Sequence, residues 1–411
     1  MSINPVRWQD IGFDGSPYYV HPISPDPDGN GMFVGRDAEL ARLKSQLRNT
    51  TLHPCIEGES GVGKTSLVAV AGYQLQKEFV RGVEVAPFAL VRNPFQLTPE
   101  TTSREFTSSV IRELAHAFND HRHRIDSQRN PFPSVGELEA WVSRPVQSDD
   151  FQSVVRSWLS RAFPSNLGGG FICVLDNLEL VRTSARARQV LEEMRDDALA
   201  LPGVRWVLCG AKGVVEHGTS SSRLEGRLAT PMKLRPLGME KMPLLINRRI
   251  SVFRRSTDAI APVQEEGFSF LYKRLGHNLR AALNYAENFS VEMLVRNQVF
   301  ADREKMFKLL KVWVGGQARE KIDVLSGHVS EGHWAILREA KRLEPERIYA
   351  NMYLSFGFAT AAKFRQYLRD LEAAALVTRA SHEGDQRYNA YTITPKGALC
   401  LHELPGGAAL D

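Results

Sequence analysis

Gly58-Glu59-Ser60-Gly61-Val62-Gly63-Lys64-Thr65 fits the pattern G-x-x-x-x-G-K-[ST]. An apolar, strand-like run from Thr51 to Glu57 leads into it, and a helical pattern from about Lys64 to Phe79 leads out. That context is what the chemistry requires. Glycines let backbone N–H groups curl round a phosphate, and the new helix turns its positive end toward the same anion. Lys64 would reach the terminal phosphates as a point charge, and the Thr65 hydroxyl would be a ligand for Mg²⁺. Ser66 in the first helical turn completes the set of residues expected around the phosphates.

Working outward, Leu40, Leu43 and Leu47 repeat at three- and four-residue spacing before the strand. After the loop helix come a strand around Val83 to Leu90, an apolar strand Phe171 to Leu175, a helix Arg186 to Leu199 and a strand Val204 to Cys209. Strands separated by helices in this way predict an α/β domain, a parallel sheet with helices on both faces. Two helices, Arg104 to Phe118 and Asp150 to Phe163, flank a polar segment, residues 119–149, whose purpose the sequence does not reveal. The first 32 residues hold five prolines and four glycines and read as an irregular arm laid on this domain.

Beyond Pro236 strand character ends. Helical patterns cover Met239 to Arg254, Gln264 to Leu275, Leu279 to Phe289 and Val291 to Val314, an all-helical domain in which Gly315-Gly316 reads as a hinge. From about Val329 the order is helix (Trp334 to Leu343), helix (Pro345 to Leu354), helix (Thr360 to Ala374), then short strands around Val377 and Tyr388 to Ile393. Three helices and a hairpin predict a winged helix-turn-helix. The expected division is an arm at 1–32, a phosphate-loop domain at 33–237, a helical lid at 238–325 and a winged helix at 326–411.

A bound metal needs a second anchor. Phe171-Ile-Cys-Val-Leu-Asp176 is a buried-type strand ending in a carboxylate that can orient a magnesium-bound water. The cysteines, Cys55, Cys173 and Cys209 among them, sit in or beside apolar runs and read as core residues, none at metal-ligand spacing.

Phe33-Val34-Gly35-Arg36-Asp-Ala-Glu39-Leu resembles the adenine-side box shared by the origin-recognition initiator clade of AAA+ ATPases and the STAND signalling ATPases. The resemblance implies ATP and ADP as ligands, with Val34, Gly35 and Arg36 near the nucleotide. Ser222-Arg223-Leu224 is similar to the AAA+ box whose arginine reaches a neighbouring subunit's terminal phosphate, with Arg227 one turn on as the other choice. Gly276-His-Asn-Leu-Arg280 resembles the sensor-2 motif, whose arginine contacts phosphates from the lid of the same subunit. Cys209-Gly-Ala-Lys212 stands at the place of a sensor-1 residue but matches it poorly. Many such ATPases place a glutamate directly after the strand aspartate to polarise water. Here Asn177 fills that place and Glu179 follows two residues later, so either Glu179 substitutes or hydrolysis is slow.

The resemblance covers about residues 33–290, and a C-terminal winged helix completes the domain order of the initiators. It implies an ATP-controlled switch that self-associates in its ATP state, assembling on double-stranded DNA. In STAND ATPases the winged helix instead clamps the nucleotide domain or docks a protein partner, and Leu401-His402-Glu403-Leu404 faintly resembles a motif some of them use. For DNA, Phe364, Leu368 and Leu371 share one face of a helix, which leaves Lys363, Arg365, Gln366 and Arg369 to face outward, with Arg379, His382 and Arg387 added by the hairpin.

Charge bears on that expectation. The net charge is +5. Lys and Arg outnumber Asp and Glu by 17 to 10 over residues 230–325, balance them at 10 each over 326–411, and trail at 25 to 27 over 1–229, so the basicity sits in the lid. No apolar run reaches the ~18 residues that span a bilayer, and the opening Met-Ser-Ile-Asn-Pro lacks a secretory core, so a cytoplasmic protein is expected.

Overall fold

The computed structural model describes residues 7–49, 51–84, 87–121, 149–163, 168–181, 184–211, 213–299, 302–343, 347–380 and 390–404. They fall into two units, one of residues 22–235 and one that joins the residues up to 21 with those from 236 onward.

The first unit begins with α1 (Pro27–Met32) and α2 (Asp37–Asn49), then β1 (Cys55–Gly58), α3 (Lys64–Val80) and β2 (Phe88–Leu90). It continues through α4 (Ser103–His121), α5 (Asp149–Ala162), β3 (Gly170–Leu175), α6 (Ser184–Glu193), β4 (Val204–Gly210), α7 (Val214–Thr219) and β5 (Met232–Leu234). The five strands form one parallel sheet in the order β2-β3-β4-β1-β5, with Cys55 opposite Leu208 and Phe171 opposite Val204. Every residue of β3 is buried, as expected of a strand covered on both faces. Phe171, Cys173 and Leu175 face a cluster that holds Trp206 and side chains of α4 to α6, whereas Ile172 and Val174 face α2 and α3.

Several element boundaries differ from those expected. The helix expected through Leu199 ends at Glu193, and a 3-10 turn, Ala198–Ala200, follows in which the Ala198 carbonyl accepts the buried Trp206 indole N–H at 2.9 Å. The strand expected from Val83 is confined to Phe88–Leu90, with Val83 in an exposed turn and Val85 and Ala86 outside the described residues. Neither α7 nor β5 was expected, because each is too short to show a period.

In the second unit, α8 (Met242–Phe253), α9 (Glu265–Arg274), α10 (Leu279–Val295) and α11 (Arg303–Leu325) make the helical part. The boundary expected near Phe289 lies further on: α10 runs to Val295, Asn297 takes a positive φ of 52°, and Asp302 caps α11 by accepting from the Lys305 N–H at 3.0 Å. Gly315 and Gly316 are no hinge. They lie inside the continuous α11, and Gly315 is the place where the carboxylate of Glu403 approaches, 3.3 Å from where a Cβ would stand.

The chain then forms α12 (Glu331–Leu343), β6 (Ile348–Tyr349), α13 (Ala361–Ala373), β7 (Val377–Ala380), β8 (Ala390–Ile393) and α14 (Pro395–Glu403). Of the helix expected over Pro345 to Leu354, residues 345–346 lie outside the described residues, and the rest holds β6 and a 3-10 turn at Ala350–Met352. The three strands pair antiparallel in the order β6-β8-β7. Phe364, Leu368 and Leu371 bury one face of α13, as their spacing predicts, against Trp334, Leu337 and Tyr391. This arrangement is consistent with the expected winged helix-turn-helix. The lid and this C-terminal part cluster as one unit, with Arg319 on α11 reaching Glu403 on α14 at 3.5 Å.

The expected arm divides between the units: its residues up to 21 group with the helical unit. Phe13 and Tyr18 are fully buried in the helical unit, the Tyr18 hydroxyl donates to the Val263 carbonyl at 2.5 Å, and Arg249 donates to the Pro17 and Tyr19 carbonyls at 2.8 and 2.6 Å. Burial lowers the Arg249 guanidinium to a pKa of about 10. Two aromatic anchors and a buried arginine outweigh the irregular composition. No helix among the described residues is long and apolar enough to cross a membrane.

Candidate nucleotide and magnesium site

The loop from Gly58 to Gly63 joins the C-terminal end of β1 to α3. Gly58 is dictated by close approach, since a Cβ there would stand 2.9 Å from the Leu234 carbonyl oxygen on β5 and 2.8 Å from Val62. Gly63 is dictated by its backbone, with φ at 98° and open space where a side chain would be. It is the N-cap of α3, and no side chain caps that helix. The first N–H groups of an α-helix have no partner within it, so this end is built to receive an anion.

Lys64 is buried and folds back on the loop, its Nζ donating to the carbonyls of Gly58 at 2.9 Å and Glu59 at 3.2 Å. Glu59 and Ser60 are exposed at the loop's tip, and Val62 is buried beneath it. Thr65 and Asp176, 111 residues apart, meet directly: the Thr65 hydroxyl donates to Asp176 Oδ2 at 2.6 Å. Asp176 is itself buried at the end of β3, and its Oδ1 accepts the Asn177 N–H at 2.9 Å. A hydroxyl and a carboxylate sharing one edge beside an uncapped helix end are hard oxygen donors that suit Mg²⁺. Ser66 accepts the Ile23 N–H at 3.2 Å, which ties the start of α3 to the segment before α1.

Arg36, expected near the nucleotide, contacts the phosphate loop itself. It is buried, paired with Glu39 at 3.1 Å, and donates to the carbonyls of Val62 at 3.3 Å and Arg235 at 2.6 Å. Its guanidinium thus braces the phosphate loop against the segment after β5. Val34 is likewise buried, and Gly35 has a φ of 74°.

Asn177 has a structural reason. It adopts a φ of 56° to start the 3-10 turn Leu178–Val181, and asparagine tolerates that region better than glutamate. Within that turn Glu179 turns its Oε2 to the end of β4, where it accepts the Ala211 N–H at 2.9 Å. The neighbouring Lys212 lies outside the described residues. Arg223 is 65% exposed beyond α7 and stands 3.6 Å from Glu192 on α6. Arg227 is less exposed, in a stretch whose backbone pairs with His53. Arg280 is exposed on the first turn of α10, whose N-cap Asn278 accepts the Ala281 N–H at 3.0 Å.

On α13, Lys363, Arg365, Gln366 and Arg369 are all exposed, opposite the buried face. Arg369 donates to Gln366 and Gln366 to Asp370, both at 2.8 Å, and Arg379 pairs with Glu372 at 3.3 Å. Arg387, His382 and the tip of the hairpin lie outside the described residues. All four cysteines are buried, and burial pushes the thiols of Cys55, Cys173 and Cys209 well up, so they stay protonated. No cluster of three or more metal-binding side chains occurs among the described residues.

Residue 57 escaped the sequence reading. Glu57 sits on β1 just before the loop, fully buried. A carboxylate inside an otherwise apolar strand was the available signal.

With the geometry in place, residues 32–206 match the family described as AAA ATPase domain. The matched stretch lies within the sheet unit and takes in Gly58 to Thr65 and Asp176. Among solved structures, the chain is similar to the ORC2 protein of Aeropyrum pernix in its ADP form (12% identity, 96% of this chain and 95% of that one, TM-score 0.48). It is also similar to the ORC1 protein of the same organism in complex with DNA (14%, 94% and 97%, TM-score 0.44). A third is Cdc6p of Pyrobaculum aerophilum (16%, 94% of each chain, TM-score 0.41). No curated protein matches the chain.

Proposed function

We propose that this protein is an ATP-controlled switch of the origin-recognition initiator type, which binds ATP with Mg²⁺, hydrolyses it slowly and self-associates on duplex DNA in its ATP state. The observation that carries the reading is the 2.6 Å contact between Thr65 and Asp176 beside the uncapped start of α3. Lys64 leaves the Gly58 and Glu59 carbonyls for the terminal phosphates, and the loop N–H groups and the helix end hold the remaining charge. Mg²⁺ held by Thr65 and Asp176 supplies neutralisation of the phosphate oxygens.

Slow turnover follows from the residues after β3. Asn177 cannot take a proton, and Glu179 already uses one oxygen on the Ala211 N–H. Arg223, exposed and 3.6 Å from Glu192, is the residue to act on the triphosphate of a neighbouring copy. Arg280 is the residue to read that phosphate from the lid of the same copy, so that nucleotide state becomes domain arrangement. ADP is the ligand of the reset state.

The exposed α13 face of Lys363, Arg365, Gln366 and Arg369, together with the basic lid, supports duplex binding. The test is duplex affinity with ATP, with ADP and without nucleotide, across a salt series. Tighter binding with ATP that falls steeply with salt is expected. Salt-insensitive or absent binding would remove DNA from the reading and favour a signalling switch whose C-terminal domain docks protein.

A further inference from the structure

Glu57 is the last strand residue before the phosphate loop, and its side chain is 0% exposed. It lies on the face of β1 toward α7, and its Oε1 accepts two backbone N–H groups there, from Gly213 at 3.0 Å and from Glu216 at 2.6 Å. Its Oε2 is buried without a hydrogen-bond partner among the described residues. For packing alone a leucine would serve better, because a buried carboxylate with an unused oxygen is costly. What leucine cannot do is aim the start of α7, since only an acceptor fixes the direction of two N–H groups.

The segment so aimed leads to Arg223. The end of α7 and the chain after it are held on the other side by α6: Arg188 donates to the His217 carbonyl at 2.9 Å and to the Ser220 hydroxyl at 3.2 Å, and Glu192 takes the Ser221 hydroxyl. Leu224 is fully buried directly after Arg223. Arg223 therefore projects from a short segment clamped by α6 at one side and by Glu57, through α7, at the other.

We propose that Glu57 is a positioning residue that ties the strand feeding the phosphate loop to α7, and so fixes the direction in which Arg223 leaves the sheet unit toward the triphosphate of a neighbouring copy. This rests on the assignment of Arg223 above. The link makes the loop of one copy and the arginine it lends to another parts of one rigid piece.

Complementation in trans tests it with the full-length chain. Glu57→Leu should bind ATP within about threefold of the parent and lose tenfold or more of its ATPase rate. Mixed with Lys64→Ala, which has an intact Arg223 but no working loop, it should recover activity, because the partner supplies the arginine. Glu57→Ser, whose smaller side chain admits water to the two amides, serves in the same mixture if the leucine variant does not fold. Glu57→Gln keeps an acceptor oxygen and should stay near the parent rate. The reference mixture is Arg223→Ala with Lys64→Ala. Recovery there without recovery for the Glu57 variants leaves the arginine assignment standing and overturns the positioning role. No recovery in the reference mixture overturns both, as does a tenfold loss in Glu57→Gln that the partner does not complement.

Discussion

Acid should weaken the sheet unit through one buried histidine, and the size of the effect can be worked from its contacts. His53 precedes β1 and is 5% exposed. Trp206 donates its backbone N–H to His53 Nδ1 at 3.3 Å, so Nδ1 must be the acceptor, and Nε2 carries the proton toward the Leu199 carbonyl at 2.9 Å. Burial lowers the ring to about 4 from the ordinary 6.5. The unfolded chain therefore takes up a proton before the folded one does, and stability falls as pH drops from about 7 toward 4. By pH 5 this group alone costs about 2 kcal/mol, approaching about 3 kcal/mol below pH 4. His53→Gln, whose amide can accept from Trp206 and donate to Leu199 without titrating, removes the dependence. With a urea slope of about 2 kcal/mol/M, the parent's unfolding midpoint should fall roughly 1 M further than the variant's between pH 7 and pH 5. Parallel midpoint profiles for the two proteins would refute the reasoning.

At the nucleotide site, Lys64→Ala should weaken ATP binding about 10- to 100-fold, read by titration with a fluorescent ATP analogue. Unchanged affinity would show that the loop is not the site. Asp176→Asn should bind nucleotide without Mg²⁺ about as the parent does, yet lose the tightening that Mg²⁺ brings. A preserved magnesium response would remove Asp176 from the metal set. Arg280→Ala should narrow the difference between ATP and ADP affinity while leaving stability within about 0.5 kcal/mol, since the residue is exposed. Glu179→Gln retains an oxygen for the Ala211 N–H and should slow single-turnover hydrolysis by less than about threefold. A loss of about 100-fold would restore Glu179 as the base.

The phosphate loop was legible because its chemistry is local: the spacing of Gly58, Gly63, Lys64 and Thr65 follows from backbone geometry and from what a phosphate needs. The apolar strand ending in Asp176 and the buried face of α13 were legible for the same reason, since period and burial are properties of neighbours in the chain. Their partners were not. That Thr65 and Asp176 touch across 111 residues depends on β3 and β1 being parallel with β4 between them, and that order is set by packing of whole layers.

Where the reading of single residues went astray, tertiary contacts outweighed composition. Gly315 resembles a hinge in isolation but leaves room for Glu403, and the motif around Arg36 does not show that its side chain also ties Val62 to Arg235. The residues before His21 lack a period, yet Phe13 and Tyr18 are fully buried, with the Tyr18 hydroxyl on the Val263 carbonyl. The glycine spacing of the loop, the carboxylate closing an apolar strand and the class of sheet are each written in adjacent residues. The contacts of Glu57, Arg36 and Glu179 are not, because the donors and acceptors that engage them come from segments brought near by folding alone.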